Sequence, residues 1–332
     1  MVNKQDAPPS NEHIHHHATI TLKDIQEAAK RIHPYIKKTP LFTSATLNRI
    51  TQASLYFKCE NFQKAGAFKF RGACNAVFSL SDAAAKKGVA THSSGNHAQA
   101  LALAAKIRGI PAYIVMPNNS ADVKKQAVAD YGAHITFCEP GLASREAALN
   151  KLLTETGAVF IHPYDNERVI AGQGTVALEL LDECNDLDFV IVPVGGGGLI
   201  SGTAIVVTTR SPKTRVIGAE PELANDAYLS FKKRKLIRIE NQRTICDGLL
   251  TSLGKLTFPI ILDNVNDIYT ATEQSILQAL KYIWERMKII VEPSAAISLA
   301  IMLEHPDIFK NKKIGLILSG GNVDIKTIAA LI

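Results

Sequence analysis

Phe189-Val-Ile-Val-Pro-Val194, Gly195-Gly196-Gly197-Gly198 and Leu199-Ile-Ser-Gly-Thr-Ala-Ile-Val-Val207 follow one another with no charged residue among them. A short run of β-branched and aromatic residues bounded by glycine reads as a strand buried on both faces. The apolar stretch after the glycines reads as a helix, so the segment is strand, tight loop and helix. Glycine loses more conformational freedom on folding than any other residue, so four in a row at the carboxyl end of a buried strand point to close approach of a ligand. Their successive N–H groups can converge on one anion at the helix N-terminus, as a phosphate cradle does. The uncharged stretch 189–209 is long enough to span a bilayer, but Pro193 and five glycines within it argue against a membrane helix.

The same unit recurs along the chain. Strand-like runs at 55–58, 88–92, 112–116, 135–138, 159–161, 189–194, 215–219, 267–270 and 313–318 alternate with amphipathic segments such as 97–108, 121–131, 144–156, 174–183 and 273–287. Repeated strand-then-helix units predict parallel sheets covered by helices on both faces. Thr272 supplies an N-cap hydroxyl for 273–287, and Gly109 and Gly132 end helices before new strands. No repeat or low-complexity linker divides the chain, so a second domain must be nested in the first or packed tightly on it.

The whole chain has 332 residues, enough for one large or two joined domains, with 46% hydrophobic and 20% charged residues. That composition excludes disordered, collagen-like and disulfide-stapled classes. The net charge is 37 − 31 = +6, and the one dense basic run, 232–235, reads as a solvated face rather than a nucleic-acid site. Cys59, Cys74, Cys138, Cys184 and Cys246 are scattered and odd in number, which fits a reducing compartment and a cytoplasmic protein. Residues 1–18 are polar, crowd His13, His15, His16 and His17 together, and contain no signal-like apolar run. They read as a frayed tail, with adventitious metal capture the alternative.

Two patterns compete for the ligand. Gly172-Gln-Gly174-Thr-Val-Ala177 matches a dinucleotide fingerprint, but it follows the charged segment 165–170 instead of a buried strand, so small-residue helix packing suits it better. The tetrad 195–198 is the sharper signal. Lys69 sits in Ala65-Gly-Ala-Phe-Lys-Phe-Arg-Gly-Ala73, where desolvation between Phe68 and Phe70 and the nearby charge of Arg71 would lower its pKa and suit a Schiff-base amine. Ser93-Ser-Gly-Asn-His97 opens the helix 97–108, and its hydroxyls, amide and N–H groups suit a carboxylate. A plain N-cap would need only one of these side chains.

Taken in order, these blocks resemble the serine racemase and serine/threonine dehydratase family, pyridoxal-phosphate enzymes with the tryptophan-synthase β fold. The resemblance runs from about 21 to 325 and includes Glu60-Asn-Phe-Gln-Lys64, residues 66–73, 93–99, Ala171-Gly-Gln-Gly-Thr175, the tetrad, Glu292-Pro-Ser294 and Ser319-Gly-Gly-Asn-Val-Asp324. It implies two domains, each an open, mostly parallel sheet covered by helices: residues 1–87 with 166–332 as the larger, and 88–165 as a smaller mobile one. It also implies that Lys69 holds the cofactor covalently, Phe68 packs on its ring and Asn96 binds the phenolic oxygen. Gly195, Gly196, Gly197 and Gly198 would hold the phosphate, and Ser319 would meet the pyridine nitrogen. Ser93, Ser94, Asn96 and His97 would take the substrate.

Ser94 stands where many dehydratases of the family have alanine, which favours a racemase with a second proton carrier opposite Lys69. Glu220-Pro-Glu-Leu-Ala-Asn-Asp226 resembles a divalent-ion site in which Glu220, the carbonyl of Ala224 and Asp226 bind Mg²⁺, Ca²⁺ or Mn²⁺. On spacing alone, Glu220 could merely end a strand and Asp226 cap a helix. Ala65 departs from the Ser or Thr common in the lysine motif, and Tyr164-Asp165 departs from the asparagine of animal racemases. The expected activity is serine racemisation with β-elimination of serine. The alternatives are a threonine or 3-hydroxyaspartate dehydratase and a non-catalytic metabolite-binding protein. A homodimer is implied, with neither nucleic acid nor membrane as partner.

Overall fold

A computed structural model describes residues 20–120, 122–239 and 242–331, and the N-terminal histidines lie outside that range. The strands are β1 (Leu41–Phe42), β2 (Ser54–Cys59), β3 (Val89–His92), β4 (Ala112–Pro117), β5 (His134–Cys138), β6 (Val159–Phe160), β7 (Phe189–Pro193), β8 (Arg215–Pro221), β9 (Asp267–Ala271) and β10 (Lys313–Leu318). Six form one sheet in the order β1-β2-β10-β7-β8-β9, and four form a second in the order β5-β4-β3-β6. Every pairing is parallel except β1 with β2. The parallel α/β architecture expected from the alternating pattern is therefore present.

Central β7 is buried at every position, and β10 at all but its first, which explains their unbroken apolar character. Leu55, Phe57, Ile191, Leu316 and Leu318 pack one face of the larger sheet onto the helix Pro293–Glu304. Val190, Val192 and Ile317 pack the other onto the helices Leu22–Ile32, Glu167–Glu183 and Gly198–Arg210. Phe70, Cys74 and Val77 of the helix Lys69–Phe78 join the core of the smaller sheet with Ile114 and Leu101. The lysine motif thus bridges the two sheets.

The fingerprint-like glycines at 172 and 174 lie inside the helix Glu167–Glu183. A Cβ on Gly172 would come within 2.6 Å of the Gly72 backbone, and one on Gly174 within 2.9 Å of the Gly202 carbonyl. Their role is close helix packing. That helix begins before residue 174 because Asn166 caps it, accepting from the N–H groups of Arg168 and Val169. Among the described residues, no helix is long and apolar enough to cross a membrane.

Candidate active site

The carboxyl ends of β3, β7 and β10 meet at a cavity of about 440 Å³ between the two sheets. β7 delivers the glycine loop, β3 delivers Ser93 to His97, and β10 delivers Ser319. Lys69 arrives at the start of its helix because its motif is zipped to the segment after β10. Phe68 N–H donates to the Ser319 carbonyl at 3.0 Å, and Gly321 N–H donates to the Gly66 carbonyl at 2.9 Å. Asn322 Nδ2 donates to the Ala65 carbonyl at 2.7 Å. Ala65 takes the left-handed conformation, with φ 57°, to make this turn.

Lys69 Nζ donates to the Pro163 carbonyl at 3.0 Å and lies 5.2 Å from the centre of the Phe68 ring. Burial pulls its pKa down to about 8, against a weaker opposing pull from the Glu292 carboxylate. The expected help from Arg71 is absent. Arg71 is wholly buried, but its guanidinium binds Glu60 at 2.7 and 2.8 Å and Glu179 at 2.7 and 2.8 Å, so two carboxylates neutralise it. Lys58 Nζ joins the same cluster, 2.7 Å from Glu179. Arg71 therefore anchors the first turn that carries Lys69, and desolvation alone depresses the lysine.

The glycine loop has the conformation its sequence suggests. Gly197 has φ +89° and caps the helix Gly198–Arg210 with no side chain, and the loop with the start of that helix lines the cavity. A Cβ on Gly196 would lie 2.3 Å from the ring of Tyr164, and one on Gly195 would lie 2.9 Å from Thr251 Oγ1. Tyr164 is held over the loop by its neighbour. Asp165 accepts from the N–H groups of Lys255, Leu256 and Thr257 at 3.0, 2.8 and 3.3 Å and so caps the helix Thr257–Asn264.

Across the cavity, the helix Asn96–Arg108 starts after Gly95 without a side-chain cap. The hydroxyl of Ser94 is therefore not consumed as an N-cap. His97 differs from the expected picture: its imidazole is buried, Nε2 lies 3.2 Å from the Ile161 carbonyl, and burial drives its pKa well down. What it can offer a carboxylate is its N–H in the first helical turn. Asn96 Nδ2 donates to both Glu292 oxygens at 3.0 and 3.1 Å, and burial raises the pKa of Glu292 to about 7.

The arrangement suits pyridoxal phosphate. A partly buried amine of lowered pKa, a glycine loop at a helix N-terminus, and Ser319 line one cavity. A scan against family models matches residues 32–320 to the pyridoxal-phosphate-dependent enzymes. The chain belongs to that family. It is 52% identical to a β-hydroxyaspartate dehydratase from Paracoccus denitrificans, over 92% of this chain and 97% of that protein. It is 49% identical to a serine racemase from Dictyostelium discoideum, over 95% and 98%. The solved structure of maize serine racemase superposes with a TM-score of 0.92 at 45% identity, covering 94% of this chain and 97% of that one. As in that family, the sheets here are parallel layers between helices.

Glu292, Asn322 and Tyr164 entered the sequence reading only inside longer matching or departing blocks, and the structure brings all three to the cavity. Arg145, on the helix Leu142–Thr156, gave no sequence signal and lines it too. Glu220 and Asp226 meet away from this cavity, where Glu220 accepts from the N–H groups of Ala227 and Tyr228 at 2.8 and 2.7 Å. The acid that caps the helix Asp226–Lys233 is thus Glu220, where the alternative reading had Asp226. Asp226 Oδ1 accepts from Gln242 at 2.7 Å, while its buried Oδ2 has no hydrogen-bond partner among the described residues.

Proposed function

We propose that this enzyme racemises serine and also deaminates it by β-elimination. Bound pyridoxal phosphate supplies the electron sink that acidifies the Cα–H of an amino acid attached to it. Lys69 would hold the cofactor and then move the proton on one face of Cα, while Ser94 carries it on the other. The glycine loop would hold the phosphate, Ser319 the pyridine nitrogen and Asn96 the phenolic oxygen. Ser93, Ser94 and the N–H groups of Asn96 and His97 would orient the substrate carboxylate. The observation that carries this reading is that Lys69 and a Ser94 not consumed as an N-cap line one cavity.

Residues 88–165 would move as a unit against 1–87 and 166–332, closing on substrate and excluding water. Lys124 pairs with Asp247 across the cavity rim, a contact between these two parts that such a motion would make and break. The buried carboxylates of Glu220 and Asp226 have no lysine or arginine partner among the described residues, and Asp226 Oδ2 is orphaned. With the Ala224 carbonyl they suit Mg²⁺, Ca²⁺ or Mn²⁺. Five free cysteines accord with a reducing, cytoplasmic setting.

Arg145 favours a second reading. It lines the cavity, makes no salt bridge with a described carboxylate, and its one side-chain hydrogen bond runs from Nε to the Gly141 carbonyl at 3.3 Å. An unpaired guanidinium is a receptor for a side-chain carboxylate, which 3-hydroxyaspartate has and serine lacks. The test is one assay of purified enzyme with L-serine, D-serine, L-threonine and 3-hydroxyaspartate, following keto-acid release and enantiomer exchange. Exchange of serine enantiomers supports the racemase. Turnover of 3-hydroxyaspartate alone, lost in Arg145→Met, supports the dehydratase instead.

A further inference from the structure

A line of hydrogen bonds behind the cavity leaves Asn96 no choice of orientation. The Ala65 carbonyl can only accept, so the amide group of Asn322 that lies 2.7 Å from it must be the nitrogen. The same nitrogen lies 2.9 Å from Asn96 Oδ1 and donates to it. The Asn96 nitrogen is thereby turned to Glu292, whose oxygens accept at 3.0 and 3.1 Å. Carboxylate oxygens seen from that range subtend roughly 40°, far less than the roughly 120° between the two N–H bonds of an amide. One N–H therefore bifurcates to Glu292, and the second is left for the cavity.

The ends of this line are fixed independently. Glu292 N–H donates to the Gly320 carbonyl at 3.0 Å, and a Cβ on Gly320 would lie 2.8 Å from Glu292 Oε1. Ala65 is held in its left-handed turn, and a Cβ on the following Gly66 would collide with the Asn322 amide at 2.3 Å.

We propose that Asn322 and Glu292 are positioning residues that lock the Asn96 amide with its nitrogen toward the cofactor's phenolic oxygen. This rests on the reading that Asn96 meets that oxygen. A donor there stabilises negative charge on the oxygen, whereas a flipped amide would present a carbonyl and repel it.

The test uses enzyme loaded with pyridoxal 5′-phosphate and reads the cofactor's dissociation constant and the pH midpoint of its visible absorbance, with melting of cofactor-free protein as the folding control. Asn322→Asp differs by one group yet places an acceptor against Asn96 Oδ1, which turns that contact against the parent orientation. Cofactor binding should weaken about tenfold, the value of one lost buried hydrogen bond, and the midpoint should move to higher pH as the oxygen becomes more basic. Asn322→Ala, which only frees the amide, should have a smaller effect. Glu292→Gln and Glu292→Met remove the same charge, but Gln keeps an acceptor, so the midpoint of Glu292→Met should lie at higher pH than that of Glu292→Gln; this pair serves in place of Asn322→Asp if that variant does not fold. A parent-like midpoint in Asn322→Asp, or an equal effect in Asn322→Ala, overturns the orientation claim. If Asn96→Ala leaves the midpoint unmoved, the reading beneath it has failed instead.

Discussion

The ammonium nitrogen of Lys69 rests 3.0 Å from the carbonyl oxygen of Pro163, a partner that accepts a hydrogen bond without supplying a countercharge. Burial then disfavours the charged form and brings the pKa down to about 8 from 10.5. The neutral amine is the nucleophile toward an aldehyde. At pH 7.5 about a quarter of Lys69 is neutral, against about one part in a thousand for an ordinary lysine. The rate of pyridoxal phosphate capture by cofactor-free protein should rise with pH and level off above about pH 8, as stopped-flow absorbance would record. A rate still climbing about tenfold per unit at pH 9 would contradict the lowered pKa. Borohydride reduction followed by peptide mapping should place the label on Lys69, and Lys69→Ala should take none.

Arg71 makes the position of Lys69 depend on a buried ion cluster. Arg71 and Glu60 are both 0% exposed, so removing Arg71 leaves Glu60 without a countercharge in the core. Arg71→Met should destabilise the protein by about 3–5 kcal/mol, whereas Arg71→Met with Glu60→Gln, which removes both buried charges, should recover a good part of the loss. Urea unfolding of the cofactor-free proteins measures both. A double variant as unstable as the single would show that packing, not the stranded charge, dominates.

The parallel sheets were legible because strands buried on both faces read as continuous apolar runs with glycine at their ends, as 189–198 does. Several elements escaped, two of them for opposite reasons. The helix Pro293–Glu304 has ten of its twelve residues buried and so lacks the polar face that a periodicity search needs. β1 is two residues long and pairs antiparallel, against the pattern of the rest. At the site, Lys69, the segment of Ser94 and the glycines stand out by chemistry and local spacing, whereas Ser319 was implied only by the family resemblance. Glu292 and Asn322 act on Asn96 from 196 and 226 residues away, and only the packed chain brings them there. Arg71 misled for the converse reason: it is close to Lys69 in sequence, while its charge is balanced by Glu179 from a distant helix.

The orphaned oxygen of Asp226 leads to a prediction about metal. A cation bound only by the folded protein stabilises it by mass action, by about 2.7 kcal/mol at a hundred times its dissociation constant. Chelator-treated protein should therefore melt at a lower temperature, and Mg²⁺ or Ca²⁺ should restore the parent value. Asp226→Ala should lose that response while Glu220 still caps its helix through Ala227 and Tyr228. Differential scanning fluorimetry across a Mg²⁺ titration is sufficient. An unchanged melting curve in stripped parent protein, or an equal response in Asp226→Ala, would count against the site.

Ser94 decides between racemase and dehydratase. Inverting Cα requires proton removal on one face and delivery on the other, and a lysine fixed to one wall serves one face. Ser94 lines the same cavity just after β3 of the smaller sheet, and because the next helix starts after Gly95 without a side-chain cap, capping does not hold its hydroxyl. Ser94→Ala should lower interconversion of L- and D-serine by at least about a hundredfold, the usual scale for losing a positioned proton carrier. Elimination from D-serine, which begins on the face of Ser94, should fall with it. Elimination from L-serine, which begins at Lys69, should persist within a few-fold. Coupled keto-acid and chiral chromatography assays on one preparation give all three rates. Parent-like racemisation in Ser94→Ala would remove the serine from the mechanism, and loss of all three rates together would mark it as a substrate-binding group only.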